Sequence, residues 1–425
     1  MVKLEENKIF TENKNIVKAP LPSKAYIPLS QHLGKPCEPL VRVGDYVCTG
    51  QIIGKAEAFV SAVVHSSISG KVIAIDDWPH PVLGKYKAVI IESDGLDKQP
   101  ERHILSQEDI LSLPAEEIRR IVFHAGIVGM GGAAFPAQIK LTPPQPVDNL
   151  IINGAECEPY VNADNRLMLE RASQVISAIA LVVKCVGAKN VYIAIENNKP
   201  HAIEVFRKEL QGSSYKLKVI KSFYPQGGEK QLIKNVLGRE IPRGKLPFEV
   251  GAAVHNVATL YAIYEAVYLS KPLYERAVTV AGDCLRDPGN FLVRIGTPIK
   301  DLVALTGPLK KEPKKIIFGG PMMGVAQYSL DVPVIKSTNG IILFSQTETK
   351  SEGASSCIRC SRCVQECPVS LMPCMIALAA EKEKWDLAKT YGCLDCIECG
   401  LCSYVCPQKI DLVQTIKYAK ARLPK

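Results

Sequence analysis

The sequence predicts a multidomain α/β and α+β protein with a small β domain, a long α/β domain, a short α+β segment and a cysteine-rich carboxyl-terminal domain. Three observations lead to this prediction. Short strand-like runs broken by glycine and proline come first, strand and helix patterns then alternate, and ten of the fifteen cysteines lie between Cys357 and Cys406. We therefore divide the chain into residues 1–100, 106–272, 275–346 and 347–425.

The composition is that of a folded protein. With 425 residues, of which 47% are hydrophobic, the chain can bury several cores. The 52 Lys and Arg against 43 Asp and Glu give a formal charge of +9, which favours an acidic partner or an anionic membrane face. Nucleic acid is not expected as a partner, because neither a stacking motif nor zinc-finger spacing accompanies the charge.

From the sequence pattern, neither export nor a membrane-spanning segment is expected. Residues 1–10 lack the apolar core of a secretory signal. The longest apolar run, 176–186, is about half of the roughly 20 residues that a membrane-spanning helix needs. Because thiolate ligands also suit a reducing compartment, we expect a cytoplasmic location.

Residues 1–100 are typical of a small all-β unit, with the clearest strand-like runs at 41–45 and 63–72. The stretches VRVGDYVCTGQIIG and HSSISGKVIAI resemble the barrel-sandwich hybrid of lipoyl and biotinyl carriers. The modified lysine of those carriers needs a flanking signature that is absent around Lys55 and Lys71. Both are therefore expected to be solvated lysines.

Residues 106–272 change to α/β order. Strand patterns at 149–153, 190–196 and 216–221 alternate with longer helical patterns, which indicates a largely parallel sheet. Ser112 with Pro114 begins a helix that Gly126 ends, just before a glycine-rich stretch.

Residues 275–346 indicate a small α+β unit, with strands at 277–283 and 315–318 and a helix near 298–305. The polar tract TETKSEGASS, at 347–356, is expected to be a linker.

Two copies of C-x2-C-x2-C-x3-C-P follow this linker, and we expect them to hold two 4Fe-4S clusters. The eight candidate ligands are Cys357, Cys360, Cys363, Cys367, Cys396, Cys399, Cys402 and Cys406. In this spacing the fourth cysteine of each run reaches the other cluster, so Cys406 joins the first three and Cys367 joins the second three. Tandem zinc sites are the alternative, but they often use histidine, and no histidine follows His255.

Two further cysteines of this domain, Cys374 and Cys393, are left over by this assignment. Cys393 extends the second run backwards and is an alternative ligand to Cys396. A cluster pair carries single electrons and has no hydride chemistry. The α/β domain is therefore expected to hold a two-electron cofactor or to meet a partner's donor.

The glycine-rich stretch is the first candidate for a cofactor site. Glycines at Gly129, Gly131 and Gly132 let backbone amides approach an anion, and Lys140 can face a phosphate. The order G-x-G-G, with no strand leading directly into it, does not match the dinucleotide fingerprint. A purely structural turn explains the stretch about as well.

Three more polar pieces follow along the α/β domain, at the end of an apolar strand, in the stretch YPQGGE and at a helix start. Their candidate residues are Asn153, Glu156, Gly227, Glu229, His255, Asn256 and Thr259. Ligand sites of open α/β sheets lie at such strand ends. Each piece alone is more often structural, and Glu158 in particular is a candidate cap for the helix of Asp164.

In this order, the pieces resemble the flavin-bearing NADH-binding subunit of respiratory complex I, in which a glycine-rich FP turn, an N-x-x-E-x-E-P turn and a Y-x-x-G-x-E turn hold FMN and NADH. From about Ile27 to the end, the chain resembles the RnfC family of the Rnf complex. The matching stretches are VGMGGAAFP, NGAECEPY, YPQGGEKQLI, VAGDCLRDPGNF, FGGPMMG and the two cysteine runs.

This resemblance implies four parts: a barrel-sandwich start, a complex-I-like FMN and NADH domain, a β-grasp segment of the soluble-ligand-binding type, and a double-cluster ferredoxin end. It implies a subunit of an ion-translocating ferredoxin:NAD oxidoreductase, peripheral on the cytoplasmic face of the cell membrane. Its partners would be the membrane subunits, a ferredoxin-binding subunit and NADH. By motif, the eleven candidate residues named above, from Gly129 to Thr259, would line the flavin and nicotinamide site.

Two departures and two alternatives accompany the resemblance. The family's glycine-glycine-histidine-proline opening is absent from 1–29, and Cys393 is extra. One alternative is a soluble NADH-dependent cobalamin reductase, which shares the flavin, β-grasp and double-cluster parts. The other is a docking module that has lost its flavin and relays electrons only.

Overall fold

The fold is described from a computed structural model, which covers residues 2–348 and 356–423. Most of the predicted linker at 347–356 lies outside the described residues. The chain begins with an arm that contains a 3-10 helix, Lys8–Phe10, and strand β1, Ile16–Lys18. This arm runs along the α/β domain and ends in the sheet of the α+β segment, because β1 pairs in parallel with a strand there.

The β domain contains two small antiparallel sheets. Its strands are β2 (Lys24–Pro28), β3 (Glu38–Pro39), β4 (Tyr46–Val47), β5 (Ile52–Lys55), β6 (Val64–His65), β7 (Gly70–His80) and β8 (Gly84–Ser93). The sheet orders are β2-β8-β7-β4 and β3-β5-β6. Residues 41–45, predicted as a strand, form the connection before β4, and only the ends of 63–72 are strands. Apolar side chains from both sheets fill one core.

The α/β domain follows the predicted order closely. Its helices and strands are α1 (Gln107–Ser112), α2 (Ala115–His124), α3 (Ala137–Lys140), β9 (Asn149–Gly154), α4 (Ala163–Glu170), α5 (Ala172–Val186), β10 (Asn190–Glu196), α6 (Pro200–Glu209), β11 (Lys216–Ile220), α7 (Glu229–Leu237), a 3-10 helix (Pro247–Val250), β12 (Ala252–Asn256) and α8 (Val257–Leu269). All strand pairs are parallel, so the predicted parallel sheet is confirmed.

The strand order of this sheet is β11-β10-β9-β12. From β9 the chain adds β10 and then β11 on one side, and it then crosses back to place β12 on the other side of β9. The topological switch point therefore lies between β9 and β12, where Asn153 and Asn256 are register partners. Such a point leaves a crevice outside the carboxyl ends of the strands, where open α/β sheets bind ligands.

The α+β segment is a mixed sheet with one helix. Its elements are β13 (Glu275–Ala281), β14 (Gly289–Arg294), α9 (Ile299–Leu305), β15 (Lys315–Phe318), β16 (Val325–Gln327) and β17 (Gly340–Phe344). The order β1-β14-β13-β17-β15-β16 shows that the amino-terminal arm completes one edge of this sheet. The predicted strands and helix of this segment are confirmed.

The described part of the cysteine-rich domain consists of short helices joined by the cysteine loops. The helices are α10 (Arg362–Gln365), α11 (Pro373–Glu381), α12 (Trp385–Thr390), a 3-10 helix (Cys393–Asp395), α13 (Leu401–Tyr404) and α14 (Leu412–Arg422). Among the described residues of the whole chain, none of the helices is long and apolar enough to cross a membrane.

One buried lysine joins three of these parts. Lys336, which is 1% exposed, donates to the carbonyl oxygens of Val63 and Gly126, each at 2.6 Å. Val63 belongs to the β domain and Gly126 follows α2, whereas Lys336 lies between β16 and β17 of the α+β segment. Burial lowers the pKa of Lys336 to about 8.

Candidate functional site

The polar residues at the ends of β9 and β12 hold the loops around the switch point. The Asn153 Nδ2 donates to the Gly227 carbonyl at 3.0 Å, which ties the β9 end to the turn before α7. The Asn256 side chain caps α8, because its Oδ1 accepts from the Ala258 amide at 2.9 Å. Its Nδ2 donates to Asp164 at 2.6 Å.

The glycine-rich loop packs against the start of α8. The Met130 amide donates to the Thr259 Oγ1 at 2.9 Å, and a Cβ on Gly131 would meet the Asn256 side chain at 2.9 Å. The Gly129 amide is already bonded to the Phe135 carbonyl at 2.8 Å, so it is committed within the loop. At Gly132 a Cβ would meet nothing within 4 Å, so this position faces open space.

Glu156 closes the loop after β9 from the other side. Its carboxylate accepts from the Asp164 amide at 2.7 Å and from the Asn165 amide at 3.0 Å, at the start of α4. Glu156, and not Glu158, therefore caps this helix, so the expectation for Glu158 was wrong. Burial raises the pKa of Glu156 to about 7, although the nearby Lys8 ammonium acts in the opposite direction.

Lys8 from the amino-terminal arm supports this loop from behind. Its ammonium donates to the carbonyl oxygen of Glu156 at 3.0 Å and also to that of Val161. The arm pairs further with the same region, since the Tyr160 amide donates to the Glu6 carbonyl at 2.8 Å. This role of Lys8 could not be predicted from the sequence, because a lysine among other charged and polar residues carries no signal of burial.

Lys140 and Glu229 meet across the crevice, with 2.7 Å between the Lys140 Nζ and the Glu229 Oε1. Lys140, expected to face a phosphate, is thus paired with another candidate residue. His255 is buried beneath them, and burial together with the Lys140 charge lowers its pKa to about 3. The imidazole is therefore neutral at physiological pH.

The crevice fits a polar ligand such as FMN. Within the described residues, the buried atoms of this region that have no hydrogen-bond partner include the His255 Nε2 and the Asp164 Oδ1. Buried polar atoms are normally satisfied, so unpaired ones beside a switch-point crevice point to a ligand. Open space at Gly132 leaves room for it. Asp164 links Glu156 to Asn256, and the Met130 amide links the glycine-rich loop to Thr259. Asn153 links the end of β9 to Gly227.

Four cysteines from the two motifs line one small enclosed cavity. They are Cys367, Cys396, Cys399 and Cys402, which we call the second set. The Sγ of Cys367 accepts from the Leu371 amide at 3.3 Å and that of Cys396 from the Glu398 amide at 3.4 Å. Amide hydrogen bonds to sulfur are typical surroundings of iron–sulfur clusters. The structure thus brings together the four cysteines that the crossed assignment gives to one cluster, and their arrangement fits such a cluster.

The remaining four, Cys357, Cys360, Cys363 and Cys406, are called the first set. Cys357 and Cys360 are exposed, and Cys406 lines a separate groove. Burial and the neighbouring Cys374 raise the pKa of Cys363 to about 11.

No group of three or more His, Cys, Asp or Glu in the described residues is placed to hold a single metal ion. In a zinc site all ligand sulfurs lie about 2.3 Å from a single ion, whereas in a 4Fe-4S site each cysteine sulfur binds a different iron of the cluster, so the sulfurs lie farther apart.

A buried joint connects the crevice region to the second set. The Tyr224 hydroxyl donates to the Cys399 carbonyl at 2.8 Å and lies 3.4 Å from the Glu158 Oε1. The Glu158 carboxylate also accepts from the amides of Met322, at 3.0 Å, and Met323, at 2.8 Å, in the loop after β15. Burial raises the pKa of Tyr224, so its hydroxyl stays protonated and remains a donor.

Sequence models of known domain families match three stretches of the chain. The Nuo51 FMN-binding domain matches residues 122–265, which include the whole crevice. The RnfC barrel sandwich hybrid domain matches residues 2–96, and the SLBB domain matches residues 277–326. The chain therefore carries an FMN-binding domain between a barrel-sandwich domain and an SLBB domain.

Whole-length relatives decide the family. A subunit of the proton-translocating ferredoxin:NAD(+) oxidoreductase complex from Clostridium ljungdahlii is 46% identical over 98% of this chain and 92% of its own length. The corresponding subunit of the Na(+)-translocating complex from Acetobacterium woodii is 43% identical over 95% of this chain and 91% of its own length. The chain belongs to the RnfC family. A further member, from the ion-translocating oxidoreductase complex of Rhodobacter capsulatus, is 42% identical over 99% of this chain and 82% of its own length.

Membership of the RnfC family makes the chain an electron-transfer subunit of an ion-translocating ferredoxin:NAD oxidoreductase, as the resemblance predicted. Solved structures agree on the fold. Two structures of an NAD+-reducing [NiFe]-hydrogenase superpose with TM-scores of 0.50 and 0.51, at 20% and 16% identity. They cover 68% and 75% of this chain and 56% and 65% of theirs. This likeness concerns the architecture alone.

Proposed function

We propose that this chain passes electrons between NAD(H) and a redox partner by way of FMN in the crevice and two 4Fe-4S clusters on the two cysteine sets. The observation that carries the proposal is the joint at Tyr224, which connects the FMN-binding domain to the backbone of Cys399. It supports a route that leads from the crevice to one particular cysteine set. FMN, when bound, accepts or gives a hydride and exchanges single electrons.

The crevice residues would have different roles in binding FMN and NADH. The open position at Gly132 leaves room for the ligand, and the unpaired His255 Nε2 would hydrogen-bond to it. Gly129 and Gly131 would shape the loop, the first through its bond to the Phe135 carbonyl and the second by its close packing on Asn256. The Lys140 ammonium would remain available to an anion, since its pairing with Glu229 is partly exposed and weak.

The other candidates would keep the crevice in shape. Asn153 and Gly227 join the two loops, Glu156 orients α4, and Asn256 with Thr259 fixes the start of α8. This rigid surround supports binding, because a site whose side chains are already ordered loses less entropy when it closes on a ligand.

The two cysteine sets would act in a fixed order. The second set lies against the FMN-binding domain through Tyr224, and the Gln231 Nε2 lies 3.4 Å from the Pro368 carbonyl beside it. The first set has two exposed cysteines. Electrons from the crevice would therefore reach the second set first and leave at the first set, where a partner can approach.

The first set would face the partner protein. Ile358 is 60% exposed, and the exposed Arg359 and Arg362 flank the cysteines. Apolar contact with a cationic rim suits an acidic iron–sulfur partner, such as a ferredoxin-binding subunit of the same complex. The chain would then be peripheral, on the cytoplasmic face of the membrane, beside the membrane subunits of an Rnf-type complex.

Anaerobic reconstitution tests this proposal. The protein is loaded with iron, sulfide and FMN, its iron and flavin contents are measured, and the visible spectrum is recorded during an NADH titration. The expected result is about eight irons and one FMN per chain, with bleaching of both flavin and clusters by NADH. Eight irons without flavin, or flavin that NADH does not bleach, would contradict the proposal and favour a relay that has lost its flavin.

A further inference from the structure

The joint between the FMN-binding domain and the second cysteine set is built from four separate parts of the chain. Its buried apolar residues are Leu4, Tyr224, Cys399 and Leu401, and Val2, Cys157, Met322 and Ile397 pack around them. They come from the amino-terminal arm, the α/β domain, the loop after β15 and the cysteine-rich domain. Four segments meeting around one ring indicate a fixed joint rather than a loose contact.

The polar centre of this joint is Tyr224, which is 1% exposed. Its hydroxyl donates to the Cys399 carbonyl at 2.8 Å, a shorter contact than the 3.4 Å to Glu158. A buried hydroxyl normally has a partner, and here that partner is the backbone of a candidate cluster ligand. The hydrogen of the hydroxyl is thereby directed toward the cysteine loop.

The loop after β15 closes the joint from the opposite side. The Glu158 carboxylate accepts hydrogen bonds from two backbone amides of this loop, those of Met322 and Met323. Gly400, next to Cys399, has a φ of +78°, and a Cβ there would meet the Met322 carbonyl at 2.7 Å. A glycine is therefore required at Gly400 both for its backbone conformation and for this close approach.

From these contacts we infer that Tyr224 is a positioning residue: its hydroxyl holds the Cys399 loop against the FMN-binding domain and directs a positive dipole toward the second set. The inference deepens the proposed function, on which it rests. Two consequences follow. The docked arrangement favours transfer between the crevice and this cluster. The hydroxyl hydrogen, which carries partial positive charge and points to the backbone of a cluster ligand, favours the more negative reduced cluster, since second-shell hydrogen bonding is one of the levers on a cluster's potential.

Tyr224→Phe is the direct test, since it keeps the ring and removes only the hydroxyl. Stopped-flow mixing of the reconstituted protein with NADH should show flavin reduction at the wild-type rate and cluster reduction slowed about five-fold, as expected for a docked state that loses one hydrogen bond. In a mediated titration followed by electron paramagnetic resonance, the second-set cluster should shift to a lower potential, with the first-set cluster unchanged. Tyr192→Phe, on β10 beneath the Lys216 ammonium, is the matched control and should change neither quantity.

Gly400→Ala tests the same joint from the side of the cysteine loop. Gly238→Ala is its control, because Gly238 has a similar φ of +71° and a Cβ there would meet nothing within 4 Å. Slower cluster reduction in Gly400→Ala, with the control unchanged, supports the joint.

Unchanged cluster potential and unchanged cluster reduction in Tyr224→Phe would overturn the inference. The titration uses a chemical reductant, so it tests Tyr224 even if NADH fails to reduce the wild type. A wild type that binds no flavin would count against the proposed function, not against the role of Tyr224.

Discussion

The two cysteine motifs have the same spacing but different surroundings. In the first motif Cys357 and Cys360 are exposed, whereas in the second Cys399 and Cys402 are buried. The second also contacts the FMN-binding domain, through the hydrogen bond from Tyr224 to the Cys399 carbonyl. Ligand spacing therefore decides what a motif can bind, and burial and contacts decide with which neighbour that site can exchange electrons.

Removing one ligand from each motif should give the largest difference between them. Both Cys399→Ser and Cys360→Ser are expected to lose about four of eight irons. NADH should still bleach the remaining cluster in Cys360→Ser, because the second set stays next to the crevice, but it should not do so in Cys399→Ser. Iron content and an anaerobic NADH titration measure this. Equal bleaching in the two variants would contradict the proposed order.

Iron chelation compares the same two sets in the unmodified protein. The cluster of the first set should be lost before that of the second when the reconstituted protein is treated with a chelator, because two of its ligands are exposed. Electron paramagnetic resonance of the reduced protein at successive times distinguishes the two signals. Simultaneous loss would mean that burial does not separate the sets.

The junction at Lys336 lies outside the cysteine-rich domain and separates an effect on overall stability from an effect on the clusters. The pKa of Lys336 is lowered from 10.5 to about 8, which corresponds to about 3 kcal/mol. Between these values the unfolded chain binds more protons than the folded one, so the stability should rise as pH increases from 8 to 10.5. We expect the free energy of unfolding of the Lys336→Met apoprotein to increase less than that of the wild type between pH 8 and 10.5. Chemical denaturation at several pH values measures this difference.

The cluster properties of Lys336→Met should at the same time match those of the wild type at about pH 7. The junction of Lys336 with Val63 and Gly126 does not include the second set. A changed order of cluster reduction in this variant would show that the β domain also affects the joint.

The smallest effect is expected at Gln231, which makes a further contact with the loop of the second set. Its Nε2 lies 3.4 Å from the Pro368 carbonyl, at the long limit of a hydrogen bond. Gln231→Ala should therefore change the stability by less than about 1 kcal/mol and slow cluster reduction less than Tyr224→Phe does. Stopped-flow traces of the two variants side by side measure this, and a larger effect for Gln231→Ala would reverse their ranking.

Much of the architecture could be predicted from local pattern. The strands β9 and β10 lie where alternating helix and strand patterns placed them, and Pro114 and Gly126 mark the start and end of α2 as predicted. Ser112, predicted to begin the same helix with Pro114, is instead the last residue of α1. The prediction of a strand at 41–45 was wrong, because a glycine and an aspartate there form the turn before β4 instead. Turn residues in a short β unit override the apolar pattern.

The candidate crevice residues could be named from motifs, but their contacts could not. Each motif is a short stretch whose composition signals a turn, while the pairing of Asn256 with Asp164 or of Lys140 with Glu229 joins segments about 90 residues apart. Such contacts depend on the strand order of the sheet, which brings the ends of β9 and β12 side by side.

By itself the sequence determined the cysteine spacing, the α/β order and the positions of the polar turns, because these depend on residues close together in the chain. Only the tertiary structure decided that Lys8 supports the loop of Glu156, that β1 joins a distant sheet, and that Tyr224 lies against Cys399. The physical reason is that burial and long-range hydrogen bonds depend on how the helices and strands pack together. Two cysteine runs of the same spacing therefore do not indicate which part of the chain packs against each of them.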